Sequence, residues 1–314
     1  MGLIMKPVYV INGFLESGKT EFINFTLAQP YFRSKGTTLL LLCEEGEVEY
    51  EENLLKATNT VIELIEEEED FNSSHLVELE KKYKPERIIV EWNGMWNYKN
   101  VKFPWYWKVE QQITTVDAST FSMYFSNMRS LLAEQMRGSE MIIFNRCDEK
   151  TQDLVSFKRN VKALNPKAEI IFEDENGEVD VMMDEDFPYD LNAPVIEMDD
   201  EGYGIWFIDS MDHLDRYVGK TIRFLAQVMH PAKIQKGYFV PGRMVMTCCA
   251  DDINFLGYAC QYDKADQFKE QDWVMVTAKV QKEYFADYGG EGPVLHAISV
   301  EPAKAPKEAI ISFA

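Results

Sequence analysis

"NGFLESGKTEF", residues 12–22, decides how the first half of this chain is read. It follows the apolar run "VYVI" and brings two glycines five positions apart, then lysine and threonine. Gly13-Phe14-Leu15-Glu16-Ser17-Gly18-Lys19-Thr20 fits the spacing G-x-x-x-x-G-K-[ST], in which a strand turns tightly into a helix. The glycines let backbone N–H groups face a phosphate, and the positive end of the following helix points the same way. Lys19 is placed to reach β- and γ-phosphates, and the Thr20 hydroxyl to ligate Mg2+. The bland alternative is a tight turn with an incidental lysine. The strand before the motif and the helix pattern "EFINFTLAQ" after it favour phosphate.

Working outward, short apolar runs alternate with helix-period segments. "PVYVING", "TTLLLLCE", "ERIIVEW", "QQITTVDA", "EMIIFNR" and "AEIIFE" read as strands, with helices such as "SSHLVELEKKY" between them. That alternation predicts an α/β domain of the P-loop NTPase kind with a mostly parallel sheet over residues 1–172. Residues 173–204 are acidic and contain Gly and Pro; they read as a solvated linker rather than an acidic site. From residue 205 to 314 the texture is β-rich, with no helix pattern longer than "KADQFKE". Five strands in that length predict a small all-β barrel of the OB-like kind.

The net charge is −21, and it is uneven: residues 205–314 carry 12 basic and 14 acidic side chains, so the first 204 residues carry −19. So acidic a surface repels nucleic acid and anionic lipid, which excludes nucleic-acid binding as a function. No apolar run is long enough to cross a bilayer and no signal peptide is recognisable, so membrane insertion is not expected. Five cysteines, an odd number with two adjacent, read as reduced thiols in a cytoplasmic protein.

Asn145-Arg146-Cys147-Asp148 closes the apolar run "EMIIF". The spacing fits the guanine-reading N-K-x-D pattern of GTPases, with arginine in place of lysine. A carboxylate accepts from both the N1–H and the 2-amino group of guanine, whereas adenine offers neither donor. Asp148 is therefore the residue expected to select GTP and GDP over ATP.

Further segments fall in a matching order: "CEEGEVEYEENLL", "IIVEWNGMW", "ITTVDAS" and "VKALNPKAEI". Together with the two motifs above, residues 6–172 resemble the CobW family of P-loop GTPases, which includes cobalamin-pathway proteins and zinc metallochaperones. The resemblance implies Mg2+-dependent, slow GTP hydrolysis and a link to metal homeostasis, with Zn2+ or Co2+ as the ion delivered to a metalloprotein client. It implies that Glu47, in Gly46-Glu47, and Glu91, in Glu91-Trp92-Asn93-Gly94, lie near Mg2+ or the attacking water, with Lys19 as the third catalytic residue. Two departures stand out. Glu16 occupies a position where that family often has glycine. Where the family carries a C-x-C-C metal motif, this chain has Glu66 to Glu69 and Asp70, an exposed helix end or a replacement oxygen-ligand site.

With "FVPGRMVMTCCADDINFLGYACQYD" followed by "DWVMVTAKVQKEYF", the C-terminal region resembles the soluble C-terminal domain of YcgQ-like membrane proteins, which are encoded beside permeases. That likeness implies a second reading, a nucleotide-dependent regulatory protein that docks on a permease without catalysis. Cys248 and Cys249, with Cys260 and His230 nearby in sequence, are a candidate transition-metal site or buried structural thiols. Trp92, Trp96, Trp105 and Trp107 are either core or a docking surface for a partner or a second copy of the chain.

Overall fold

The inner strands of the first half have mostly apolar centres, and in the computed structural model they pair in parallel. The structure describes residues 5–179, 181, 187–246 and 253–312, and the chain divides into two units, Met1–Val181 and Met182–Ala314. In chain order the first unit comprises β1 (Lys6–Asn12), α1 (Lys19–Ala28), β2 (Thr38–Leu42), α2 (Glu52–Ala57), β3 (Thr60–Leu64), α3 (Ser73–Tyr83), β4 (Arg87–Glu91), β5 (Trp107–Asp117), α4 (Ala118–Asn127), α5 (Arg129–Arg137), β6 (Met141–Asn145), α6 (Leu154–Leu164), β7 (Glu169–Asp174) and β8 (Gly177–Val179).

Its sheet runs β3-β2-β4-β1-β5-β6-β7-β8. Every pairing is parallel except the last, where β8 folds back against β7. On one face Ile23 and Leu27 of α1 pack with Ile11, Leu40 and Ile89. On the other, Leu76 and Leu79 of α3 pack with Val8, Val10, Leu39 and Leu41. Burial of both strand faces accounts for the run of four leucines, Leu39 to Leu42, in β2.

The second unit comprises β9 (Ile196–Met198), α7 (Asp200–Asp212), β10 (Thr221–Met229), β11 (Tyr238–Met246), β12 (Ile253–Gly257), β13 (Cys260–Gln261), β14 (Trp273–Phe285), β15 (Gly290–Pro302) and β16 (Ile310–Ser312). Strands β10, β11, β13, β15 and β14 pair in that order and return to β10, a closed five-stranded ring. Its one parallel pairing is β13 with β15, and this is the OB-like barrel that the spacing of turns predicts. Alternate residues of β10 (Ile222, Phe224, Ala226, Val228) and β14 (Val274, Val276, Ala278, Val280) point into the core.

Two expectations need correction. The acidic stretch 173–204 is not a connector throughout: Glu173 and Asp174 end β7, β8 pairs with it, and β9 joins the second sheet beside β10. Residues 205–212 complete α7, a helix that carries no amphipathic period. Gly202 to Ser210 are all buried, and a helix buried all round has no polar face to reveal it. Its start is marked by Asp199, whose side chain accepts from the Gly202 N–H at 2.8 Å. No helix among the described residues is long and apolar enough to cross a membrane.

Candidate functional site

The strand order sets where a ligand can bind. β1 lies between β4 and β5, so the chain leaves β1 toward one edge of the sheet and later resumes at β5 on the other side. A crevice opens at the carboxyl ends of strands at such a reversal. Residues 13–18 occupy that point and lead into α1, whose N-cap is Gly18 at φ 95° with no side-chain cap. Gly18 serves both the left-handed turn and a close approach, since a Cβ there would meet Asn145 Nδ2. The leading N–H groups of α1 thus face the crevice.

Lys19 and Thr20 are both buried. The Lys19 ammonium donates to Gly13 O at 3.0 Å, Phe14 O at 2.9 Å and Glu44 Oε2 at 2.7 Å. Thr20 Oγ1 donates to Glu91 Oε1 at 2.9 Å, and the Tyr50 hydroxyl donates to the other Glu91 oxygen. Burial pushes the Glu91 carboxyl above its ordinary range, against the opposing pull of Tyr50, Lys19 and Thr20. A desolvated carboxylate beside a hydroxyl and a second carboxylate is an oxygen donor set that fits a hard dication such as Mg2+. Thr20 and Glu91, with Glu44 alongside, are the residues that would hold it. Glu47, expected in that role, instead reaches the loop through its backbone, donating N–H to Glu16 Oε1 at 2.8 Å; its side chain is exposed. Gly94 packs against the loop so closely that a Cβ would strike Gly13 O. The Gly94 carbonyl accepts from buried Gln135 Nε2 at 2.7 Å.

The guanine-pattern loop is fastened to the phosphate loop. Asn145 Nδ2 donates to Ser17 O at 2.7 Å, while Asn145 Oδ1 is buried without a hydrogen-bond partner. Arg146, at φ 53°, donates through Nη1 to Glu16 O and to Asp117 Oδ2, both at 2.7 Å. Burial pushes Asp117 up, but Ser119 and Arg146 outweigh it and hold the carboxyl below its usual range. Asp148 is exposed and accepts from the Lys150 N–H at 3.0 Å and the Thr151 hydroxyl at 2.9 Å; these bonds hold it below the usual carboxylate range. Gln152 braces the loop from behind, accepting from the Asp148 N–H at 2.9 Å and donating to Arg146 O at 3.3 Å. An open cleft of about 860 Å³ lies between this loop and the β7–β8 turn, with Asn145, Arg146, Asp148, Glu173 and Asn176 in its walls.

Residues 7–172 match the CobW/HypB/UreG nucleotide-binding domain, and residues 174–311 match the DUF1980 C-terminal domain. The chain belongs to the CobW/HypB/UreG family. Two solved structures are similar to it. One is the hydrogenase maturation factor HypB from Archaeoglobus fulgidus, 16% identical over 55% of this chain and 82% of that one, with a TM-score of 0.41. The other is a Zn(II)-bound triple mutant of the YjiA GTPase, 14% identical over 74% of each chain, with a TM-score of 0.43. No curated protein matches the chain.

The other candidate residues of this CobW/HypB/UreG chain sort differently. Glu66, Glu67, Glu69 and Asp70 are exposed around a short 3-10 turn, and Glu68 accepts from Asn100 at 3.3 Å. Cys248 and Cys249 lie outside the described residues. Cys260 is buried and its thiol is pushed far up by burial, and His230 Nε2 lies 3.1 Å from Phe268 O. Among the described residues no group of three His, Cys, Asp or Glu is arranged to hold a metal. Trp92 and Trp107 are buried, Trp96 packs on Trp92, and Trp105 is 75% exposed; most of the tryptophan run is therefore core. Glu44, Tyr50, Asp117, Gln135 and Gln152 were not singled out by sequence. Glu44, Tyr50 and Asp117 lie in segments already marked in the sequence, "CEEGEVEYEENLL" and "ITTVDAS", though nothing there picks out these residues from their neighbours; Gln135 and Gln152 carried no signal.

Proposed function

We propose that the chain is a Mg2+-dependent GTPase. The observation that carries this reading is the pair of bonds from Asn145 to Ser17 O and from Arg146 to Glu16 O, which hold a guanine-selecting loop against a phosphate loop. In this reading Lys19 neutralises charge on the β- and γ-phosphates, Thr20 and Glu91 hold the metal, and the Asp148 carboxylate accepts from guanine. Mg2+, when bound, offsets charge developing on the phosphate oxygens. Ser17 and Gly18 contribute backbone N–H groups, and the Arg146 stem lies along the base. The membership in a family that includes HypB supports a link between nucleotide state and a transition metal, Zn2+ or Co2+, with the barrel unit as the part that senses or delivers it.

The test is phosphate release from GTP by the full chain with Mg2+, compared with ATP, with Lys19→Ala, and with added Zn2+ or Co2+. Slow turnover of GTP that is lost in Lys19→Ala and altered by the transition metal is the expected result. Guanine nucleotide bound without turnover, in a form that captures a permease, supports the regulatory reading instead.

A further inference from the structure

Glu16 stands in the phosphate loop at φ 60°, a region that residues with a Cβ rarely occupy without compensation. The compensation is visible. Its carbonyl accepts from Arg146 at 2.7 Å and its carboxylate accepts from the Glu47 N–H at 2.8 Å. The segment 44–50 is held down at further points. Glu44 pairs with Lys19 at 2.7 Å, Glu49 O accepts from Asn24 Nδ2 at 3.4 Å, and Tyr50 bonds Glu91. The space enclosed by Glu16, Lys19, Thr20, Glu44, Gly46 and Val48 is about 10 Å³, too little for a phosphate group.

We propose that Glu16 latches the acidic segment 44–50 over the phosphate loop, so that phosphate binding and release of this segment are one event. The proposal rests on the reading of residues 13–20 as a nucleotide-phosphate loop. An ammonium has three donors, and Lys19 directs two of them at loop carbonyls and the third at Glu44. A phosphate oxygen that takes the place of Glu44 on Lys19 leaves that carboxylate unpaired, and its like charge opposes the phosphate until the segment lifts. Glu16 is a positioning residue: it sets when the loop opens, and its carbonyl ties that event to the guanine-reading loop through Arg146.

The experiment combines hydrogen exchange over residues 44–50 with stopped-flow association of a fluorescent GDP analogue, on the full chain and its Glu16→Gly and Glu16→Gln variants. Glycine suits φ 60°, so the first variant retains the loop conformation. Without nucleotide, Glu16→Gly raises exchange over 44–50 about tenfold, the size of losing one charge-assisted hydrogen bond, and speeds association by a similar factor. Saturating GDP brings wild-type exchange up to the level of Glu16→Gly. Glu16→Gln keeps an acceptor for the Glu47 N–H, so its exchange and its association both stay closer to wild type than those of Glu16→Gly. Unchanged exchange in Glu16→Gly overturns the latch, and raised exchange with unchanged association overturns its coupling to phosphate. If wild type binds no guanine nucleotide, the nucleotide reading fails and the coupling with it, while exchange in Glu16→Gly still decides whether the latch exists.

Discussion

Both units contain a buried carboxylate hydrogen-bonded to a tyrosine, and the two pairs differ in what surrounds them. Glu91 meets Tyr50 across 41 residues of sequence, with Thr20 on its other oxygen and the Lys19 ammonium nearby. Asp209 accepts from the Tyr217 hydroxyl at 2.7 Å and from Arg216 at 3.0 and 3.1 Å, all within eight residues. Tyr217 is in turn 2.8 Å from the Tyr189 hydroxyl. Burial pushes both carboxyls above the ordinary range. The first pair gathers groups from the end of β4, the segment after β2 and the start of α1 around a crevice that a ligand can share. The second satisfies itself within one helix and its following turn. Buried charge signals function in this chain only where its partners converge from distant segments on a cleft.

The most severe way to test that contrast is Lys19→Ala. Loss of two charge-assisted bonds of about 2 kcal/mol each lowers nucleotide affinity about a thousandfold, with the melting of the barrel unit unchanged; titration calorimetry and thermal unfolding report the two separately. Asp209→Ala should do the reverse. It leaves the Arg216 and Tyr217 donors facing an emptied acceptor and destabilises the second unit by about 3 kcal/mol, read as a lower denaturant midpoint, with guanine-nucleotide affinity kept. A smaller effect follows from the raised Asp209 carboxyl. Its folded pKa lies above the unfolded one, so its contribution to stability is full below the ordinary carboxylate range and declines as pH rises through the raised value. The unfolding free energy of the barrel unit then falls over that window by at most about 1.4 kcal/mol per pH unit, and Asp209→Asn flattens the slope. If Asp209→Ala weakens nucleotide binding as much as Lys19→Ala does, the contrast between the two pairs is wrong.

What the sequence made legible was local. Gly13 to Thr20 and Asn145 to Asp148 are contiguous motifs, and each can be recognised without knowledge of the fold. Glu44 was invisible beside Glu45, Glu47 and Glu49, because only the register of the chain leaving β2 decides which of four glutamates turns toward Lys19. Gln135 sits in α5, and nothing local marks it as the residue that holds Gly94 O. The barrel announced itself through five β-rich runs in about 110 residues, whereas α7, buried on all sides, had no period to read.

The most direct test of the central claim is competition of GTP, GDP and ATP against a fluorescent guanine nucleotide, in wild type and Asp148→Asn. GTP and GDP should displace the probe and ATP should not. Asp148→Asn should erode the preference about a hundredfold, because one of the two accepting oxygens becomes an NH2 group that faces a guanine donor. ATP competing as well as GTP in wild type, or a guanine preference untouched in Asp148→Asn, would contradict it.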